Sequence, residues 1–142
     1  MSVEENKTLC RRFVEEGWKK DNSSIYYELI TPDCPHYMNG IVNFKGPEGT
    51  KRVLETWLKG FPNIQVTIED LIGEGDKVVM RSKLKAKHEG PLQFEPMPFE
   101  IPATGKLLEM EMLTIIRVED GKIVEWRDTG DYSWIREFAK RK

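Results

Sequence analysis

The chain has 142 residues, the size of one ordinary domain, so a single domain over 1–142 is expected. Lysine plus arginine (22) nearly balances aspartate plus glutamate (24), which leaves neither the basic field that nucleic-acid binding needs nor a strongly acidic face. The acidic, polar start is unlike a signal peptide, no apolar run reaches the roughly 18 residues of a membrane span, and Cys10 and Cys34 lie outside any Cys-x-x-Cys pair; these features predict a cytoplasmic protein with buried thiols and no membrane partner.

From Glu4 to Lys19 the residues Cys10, Phe13, Val14, Gly17 and Trp18 recur at helical spacing, which predicts an amphipathic helix. Asp21-Asn22-Ser23-Ser24 supplies turn and capping chemistry for a short second helix through Ile25, Tyr26, Leu29 and Ile30, stopped by Thr31-Pro32. Gly46-Pro47-Glu48-Gly49 starts a third helix, whose stripe is Val53, Leu54, Trp57, Leu58 and Phe61, and Pro62 ends it. Three helices are therefore expected first.

Beyond Pro62 the period changes to 2. Ile64, Val66 and Ile68 alternate with polar residues before a tight turn at Gly73-Glu74-Gly75-Asp76. In the next strand Lys77, Arg81, Lys83, Lys85 and Lys87 take one face, and Val78, Met80, Leu84 and Ala86 the other. Met110, Met112, Thr114, Ile116 and Val118 share a face of a further strand, and Asp120-Gly121 turns it into a last strand with Val124, Trp126 and Asp128 on one side. Trp134, Ile135 and Phe138 fit a closing helix. Helices followed by antiparallel strands make an α+β domain with the helices on one face of a curved sheet. The pattern leaves open whether that sheet encloses a cavity or a solid core.

Strand parity places Asp128 on the dry side, where an ionised carboxylate is costly unless its pKa rises or a donor pairs with it. A raised pKa suits a general acid or base. The other reading leaves it at a partly wet strand end, bonded to backbone, Arg127 or Thr129. His88 continues the dry face of the lysine-rich strand as a rim residue or a ligand contact, and His36 follows Pro35 in a loop. No His-x-His or His-Glu-x-x-His spacing occurs, so no metal site is expected. The stretch from Gly90 to Pro102 holds four prolines among large apolar residues and reads as a rigid rim, or as a loop packed on another subunit. The methionines at 80, 97, 110 and 112 suit a core or an irregular hydrophobic ligand. Phosphate loops, Gly-x-Ser-x-Gly and dinucleotide fingerprints do not occur.

An ordered set of segments resembles the SnoaL-like polyketide cyclases, a branch of the nuclear-transport-factor-2-like superfamily. It comprises the first helix with Trp18, Gly46-Pro47-Glu48-Gly49, Phe61-Pro62, Gly75-Asp76-Lys77-Val78-Val79, Gly90, Thr104-Gly105-Lys106 and the closing hairpin from Ile116 to Asp128. The resemblance covers nearly the whole chain. It implies a cone-shaped α+β barrel around a deep pocket, commonly dimeric, with no metal or organic cofactor. In those cyclases the aspartate matching Asp128 is general acid/base in an intramolecular aldol closure of a polyketide ester. Thr114 stands where they carry a second catalytic histidine, and the segment between His88 and Thr104 is longer here. The limonene-epoxide hydrolases share Trp-Arg-Asp in the last strand, but the neighbouring strand here offers lysines and no aspartate partner.

The resulting expectation is a cyclase or isomerase acting on a hydrophobic carbonyl compound, with Asp128 and His88 catalytic. His88, Thr114 and Trp126 would orient the substrate, Trp18, Tyr27, Trp57, Phe94 and Met112 would form apolar wall, and His36, by its loop position a surface or rim histidine, would be a further substrate-binding residue. The alternative is a non-catalytic module that binds a hydrophobic ligand or a protein. Leu113, Ile115 and Ile123 on the outer sheet face suggest a homodimer.

Overall fold

The computed structural model describes residues 2–19, 22–94 and 97–140. Helix α1 (Val3–Gly17) starts with a capping box in which Ser2 and Glu5 satisfy each other's backbone N–H groups. It is followed by α2 (Ser24–Leu29), β1 (Pro35–Met38), β2 (Ile41–Lys45) and α3 (Gly46–Gly60). Strands β3 (Gln65–Glu74), β4 (Lys77–Lys87), β5 (Leu107–Glu119) and β6 (Lys122–Gly130) come next, then α4 (Trp134–Ala139). Asp21, Glu95, Pro96, Arg141 and Lys142 lie outside the described residues. Among the described residues no helix is long and apolar enough to cross a membrane.

Two strands between α2 and α3 correct the expectation of three uninterrupted helices. Their signal is Asn39-Gly40, where both residues have positive φ (49° and 84°), as a two-residue type I′ hairpin requires. The Asn39 side chain then exchanges two hydrogen bonds with the Gly130 backbone, at 3.2 Å to its carbonyl and 3.1 Å from its N–H. This pins the hairpin to the end of β6.

The strands form one sheet in the order β2-β1-β6-β5-β4-β3, antiparallel except for the parallel pair β1 and β6. The expected cone-shaped barrel does not form. Closure would require the two outermost strands to pair, yet β2 and β3 stand at opposite edges of an open sheet. Helix α3 packs beside β2, and α1 packs against β3 and β4. The α+β reading stands, with the N-terminal helices on a sheet that is neither closed nor strongly curled.

Between helices and sheet lies one continuous hydrophobic core, in which Cys10, Phe61, Val78, Ile116 and Ile123 are entirely buried. The alternation read for β4 and β5 holds through both strands. In β6 it breaks. Val118 pairs with Ile123 and Arg117 with Glu125, so Val124 is the extra residue of a bulge just after the Asp120-Gly121 turn. The bulge resets the parity: Ile123, not Val124, shares the inner face with Trp126 and Asp128. It also removes Ile123 from the outer patch, where Leu113 and Ile115 remain exposed.

Gly46 joins β2 to α3 at φ +67°, and a Cβ there would stand 2.4 Å from the Pro32 carbonyl oxygen. Both the left-handed backbone and the clash penalise any side chain. Gly46→Ala should therefore cost at least about 2 kcal/mol, read as a lower denaturation midpoint with an unchanged slope. A midpoint equal to that of the parent would mean that the α2–β1 and α3 segments are not held against each other here.

Candidate active site

Asp128 sits on β6 between β5, where it pairs with Thr114, and β1, where it pairs with Met38. Its residue is 9% exposed. Two side chains reach it from the flanking strands: Thr114 Oγ1 donates to Oδ1 at 2.7 Å, and His36 Nε2 lies 2.8 Å from Oδ2. With the carboxylate ionised, the imidazole Nε2–H is the donor. Each carboxylate oxygen keeps one further lone pair. His36 is itself clamped, stacked on Phe44 with ring centroids 4.0 Å apart, and its Nδ1 is buried without a partner among the described residues.

Asp128 and His36 line an inner chamber of about 60 Å³ whose other walls are largely apolar and include Phe13, Trp18, Leu54, Trp57, Met112 and Trp126. A second compartment of about 200 Å³ adjoins it, sharing Met38, Phe44, Val53, Trp57 and Tyr132 and adding Phe94 and Ile135. Cys34 also lines the inner chamber; burial pushes its thiol up to about 12, so it stays protonated. Among the described residues no group of three or more His, Cys, Asp or Glu could hold a metal ion.

The structure brings together Asp128, His36, Thr114, Trp18, Trp57, Met112 and Trp126, with Phe94 in the outer compartment. It excludes two residues. His88 is fully buried elsewhere: Met80 is the β4 partner of Thr114, and His88 lies eight residues further on, roughly 26 Å along the strand. There it stacks on Phe138, with centroids 5.4 Å apart, and bonds Thr104 through Nδ1 at 2.9 Å. Burial lowers its pKa, so this is a neutral core histidine and not a partner of Asp128. Tyr27 is 46% exposed on the outward side of α2 and bonds Glu48; its neighbour Tyr26 takes the inward position and donates to the Gly17 carbonyl.

Sequence reasoning missed Met38, Phe44 and Tyr132. The first two belong to the unread hairpin. Tyr132 follows β6 closely, and its hydroxyl is buried without a partner among the described residues; burial, then the Asp128 charge, pushes its pKa upward. The rim expected from 90–102 is partly realised. Leu92 and Ile101 form a buried bridge and Phe94 lines the outer compartment, while Phe99 is exposed and Glu95 and Pro96 lie outside the described residues.

The model of the SnoaL-like polyketide cyclases matches residues 8–137. The chain belongs to this family. A relative, aklanonic acid methyl ester cyclase DnrD of Streptomyces peucetius, is 33% identical over 130 residues, covering 87% of this chain and 83% of that protein. Aklanonic acid methyl ester cyclase DauD of Streptomyces sp. (strain C5) is 31% identical over 130 residues, covering 87% and 74%. Among solved structures, one described as a SnoaL-like polyketide cyclase of Jannaschia sp. CCS1 superposes with a TM-score of 0.86 at 22% identity, covering 99% of this chain and 95% of that one. At that identity the superposition speaks for a common fold.

Proposed function

We propose that this chain catalyses an intramolecular aldol closure, or a related proton transfer, on a hydrophobic polyketide-type carbonyl compound, with Asp128 as general base and then general acid. The observation that carries the reading is a single carboxylate held by two donors inside an apolar chamber. A carbon between two carbonyls is acidic enough for such a carboxylate to take its proton. The resulting enolate carbon attacks the second carbonyl carbon, a C–C bond forms, and the electron pair moves to oxygen. Protonated Asp128 returns its proton to that alkoxide. The steps balance without a redox partner. Apolar walls keep water from the enolate.

His36 and Thr114 hold the carboxylate in one orientation, so the base needs no reorganisation when the substrate arrives. The inner chamber admits only the reacting end of a substrate of this class, and the outer compartment takes the remainder. The two aklanonic acid methyl ester cyclases support the reading, since each is named as a cyclase of a methyl ester.

The test offers the protein a β-keto ester carrying a second ketone within reach of ring closure, in D₂O. NMR follows loss of the hydrogen between the carbonyls and appearance of the ring alcohol carbon. Both rates should exceed those in buffer. A protein that binds the ester and accelerates neither step is a binding module, and the enzymatic reading is then wrong.

A further inference from the structure

The two compartments differ in charge. Among the described residues, Asp128 is the only formally negative group on the wall of the inner chamber and Arg52 the only formally charged group on the wall of the outer one. Arg52 lies on α3 one turn before Thr56, so the two share a helix face, and Asn43 of β2 faces the same space. Arg52 and Asn43 are exposed, so this wall is where the compartment meets solvent. Trp57, Phe94 and Ile135 form an apolar side.

Arg11, Arg12, Arg81, Arg117 and Arg127 each have a carboxylate within 4.0 Å. Arg52 and Arg136 have none among the described residues, and of these two only Arg52 lines a compartment described above. Thr56 Oγ1 donates to the Arg52 carbonyl at 3.0 Å, which leaves Asn43 as the neutral donor beside the guanidinium. A guanidinium beside an amide and an aromatic wall is a receptor for a planar anion, most directly a carboxylate, which it can bind through two parallel hydrogen bonds.

We infer that the outer compartment binds a free carboxylate on the substrate through Arg52, with Asn43 beside it, so that the preferred substrate class is a hydrophobic carbonyl compound that is itself an acid. The inference rests on the proposed reaction only for the direction of binding: carboxylate outward at Arg52, reacting carbon inward at Asp128. Separation of the two charges also sets that direction, because a carboxylate driven inward would meet Asp128 in an apolar setting, where like charges repel strongly.

Calorimetric titration with 2-naphthoate and with methyl 2-naphthoate tests this without any turnover. The acid should bind about tenfold more tightly than the ester, and Arg52→Gln should reduce that ratio to near one. Arg52→Lys should keep part of the preference. Arg136→Gln, an exposed arginine outside both compartments, should keep all of it. Equal binding of acid and ester, or a preference that survives Arg52→Gln, overturns the inference. The two readings fail separately. An absent acid preference with turnover lost in Asp128→Asn removes only the carboxylate site, and an intact preference with turnover undiminished in Asp128→Asn removes only the acid/base role.

Discussion

Asp128→Asn should lower both hydrogen exchange and ring closure by about a hundredfold or more, equivalent to about 2.7 kcal/mol of barrier, while the protein stays folded. Asparagine keeps the shape of aspartate. Its amide oxygen can still accept from Thr114 Oγ1, and its amide nitrogen can donate to His36 Nε2 once the imidazole changes tautomer. What it loses is basicity. A thermal midpoint within a few degrees of the parent would show that the lost rate is chemical. Exchange at the parent rate would instead mean that another group takes the proton, and the unpartnered His36 Nδ1 would be the next to test.

Trp57→Ala should be the most damaging single change to stability, at about 3–5 kcal/mol. Trp57 is only 4% exposed, and its ring meets those of Trp18, Phe61, Phe94, Tyr132 and Trp134 with centroids 5.0–6.3 Å apart. Truncation removes the transfer energy of a large side chain and leaves a void that five rings on four different segments cannot close together. Such a loss is a large share of the 5–15 kcal/mol typical of a whole domain. Denaturant unfolding gives the number, and a loss under about 1 kcal/mol would mean that this cluster is not tightly packed. Because Trp57 walls both compartments, the same variant should bind methyl 2-naphthoate more weakly, whereas Trp57→Phe should keep most of both properties.

Residues whose behaviour is set by their immediate neighbours were legible in the sequence. The alternation of Lys77 to Lys87 and of Met110 to Val118, the Asp120-Gly121 turn, and the stripe of Val53, Leu54 and Trp57 all survive in the structure. Asn39-Gly40 carried an equally local signal, and the short strands on either side of it escaped notice because Pro35, Asn43 and Lys45 break their apolar pattern. The rest was not local. His36 and Asp128 are 92 positions apart and meet because β1 adds to β6 in parallel, a pairing that neither strand announces by itself. His88 keeps its strand's parity, but distance along β4 takes it to a different part of the core, where it is neither the rim residue nor the ligand contact expected.

From its sequence alone, this chain's class as an α+β domain and the dry faces of β4 and β5 could be determined, because hydrophobic period and turn chemistry act over a few residues; the likeness to the SnoaL-like cyclases came from an ordered set of segments, and the side taken by Asp128 stayed open. Only the tertiary structure decided that the sheet stays open, that a bulge moves Ile123 inward, and that His36 and Thr114, not His88, attend the carboxylate. The reason is that strand order, helix cover and the depth of a pocket depend on which distant surfaces bury one another. That choice is made by the whole chain at once.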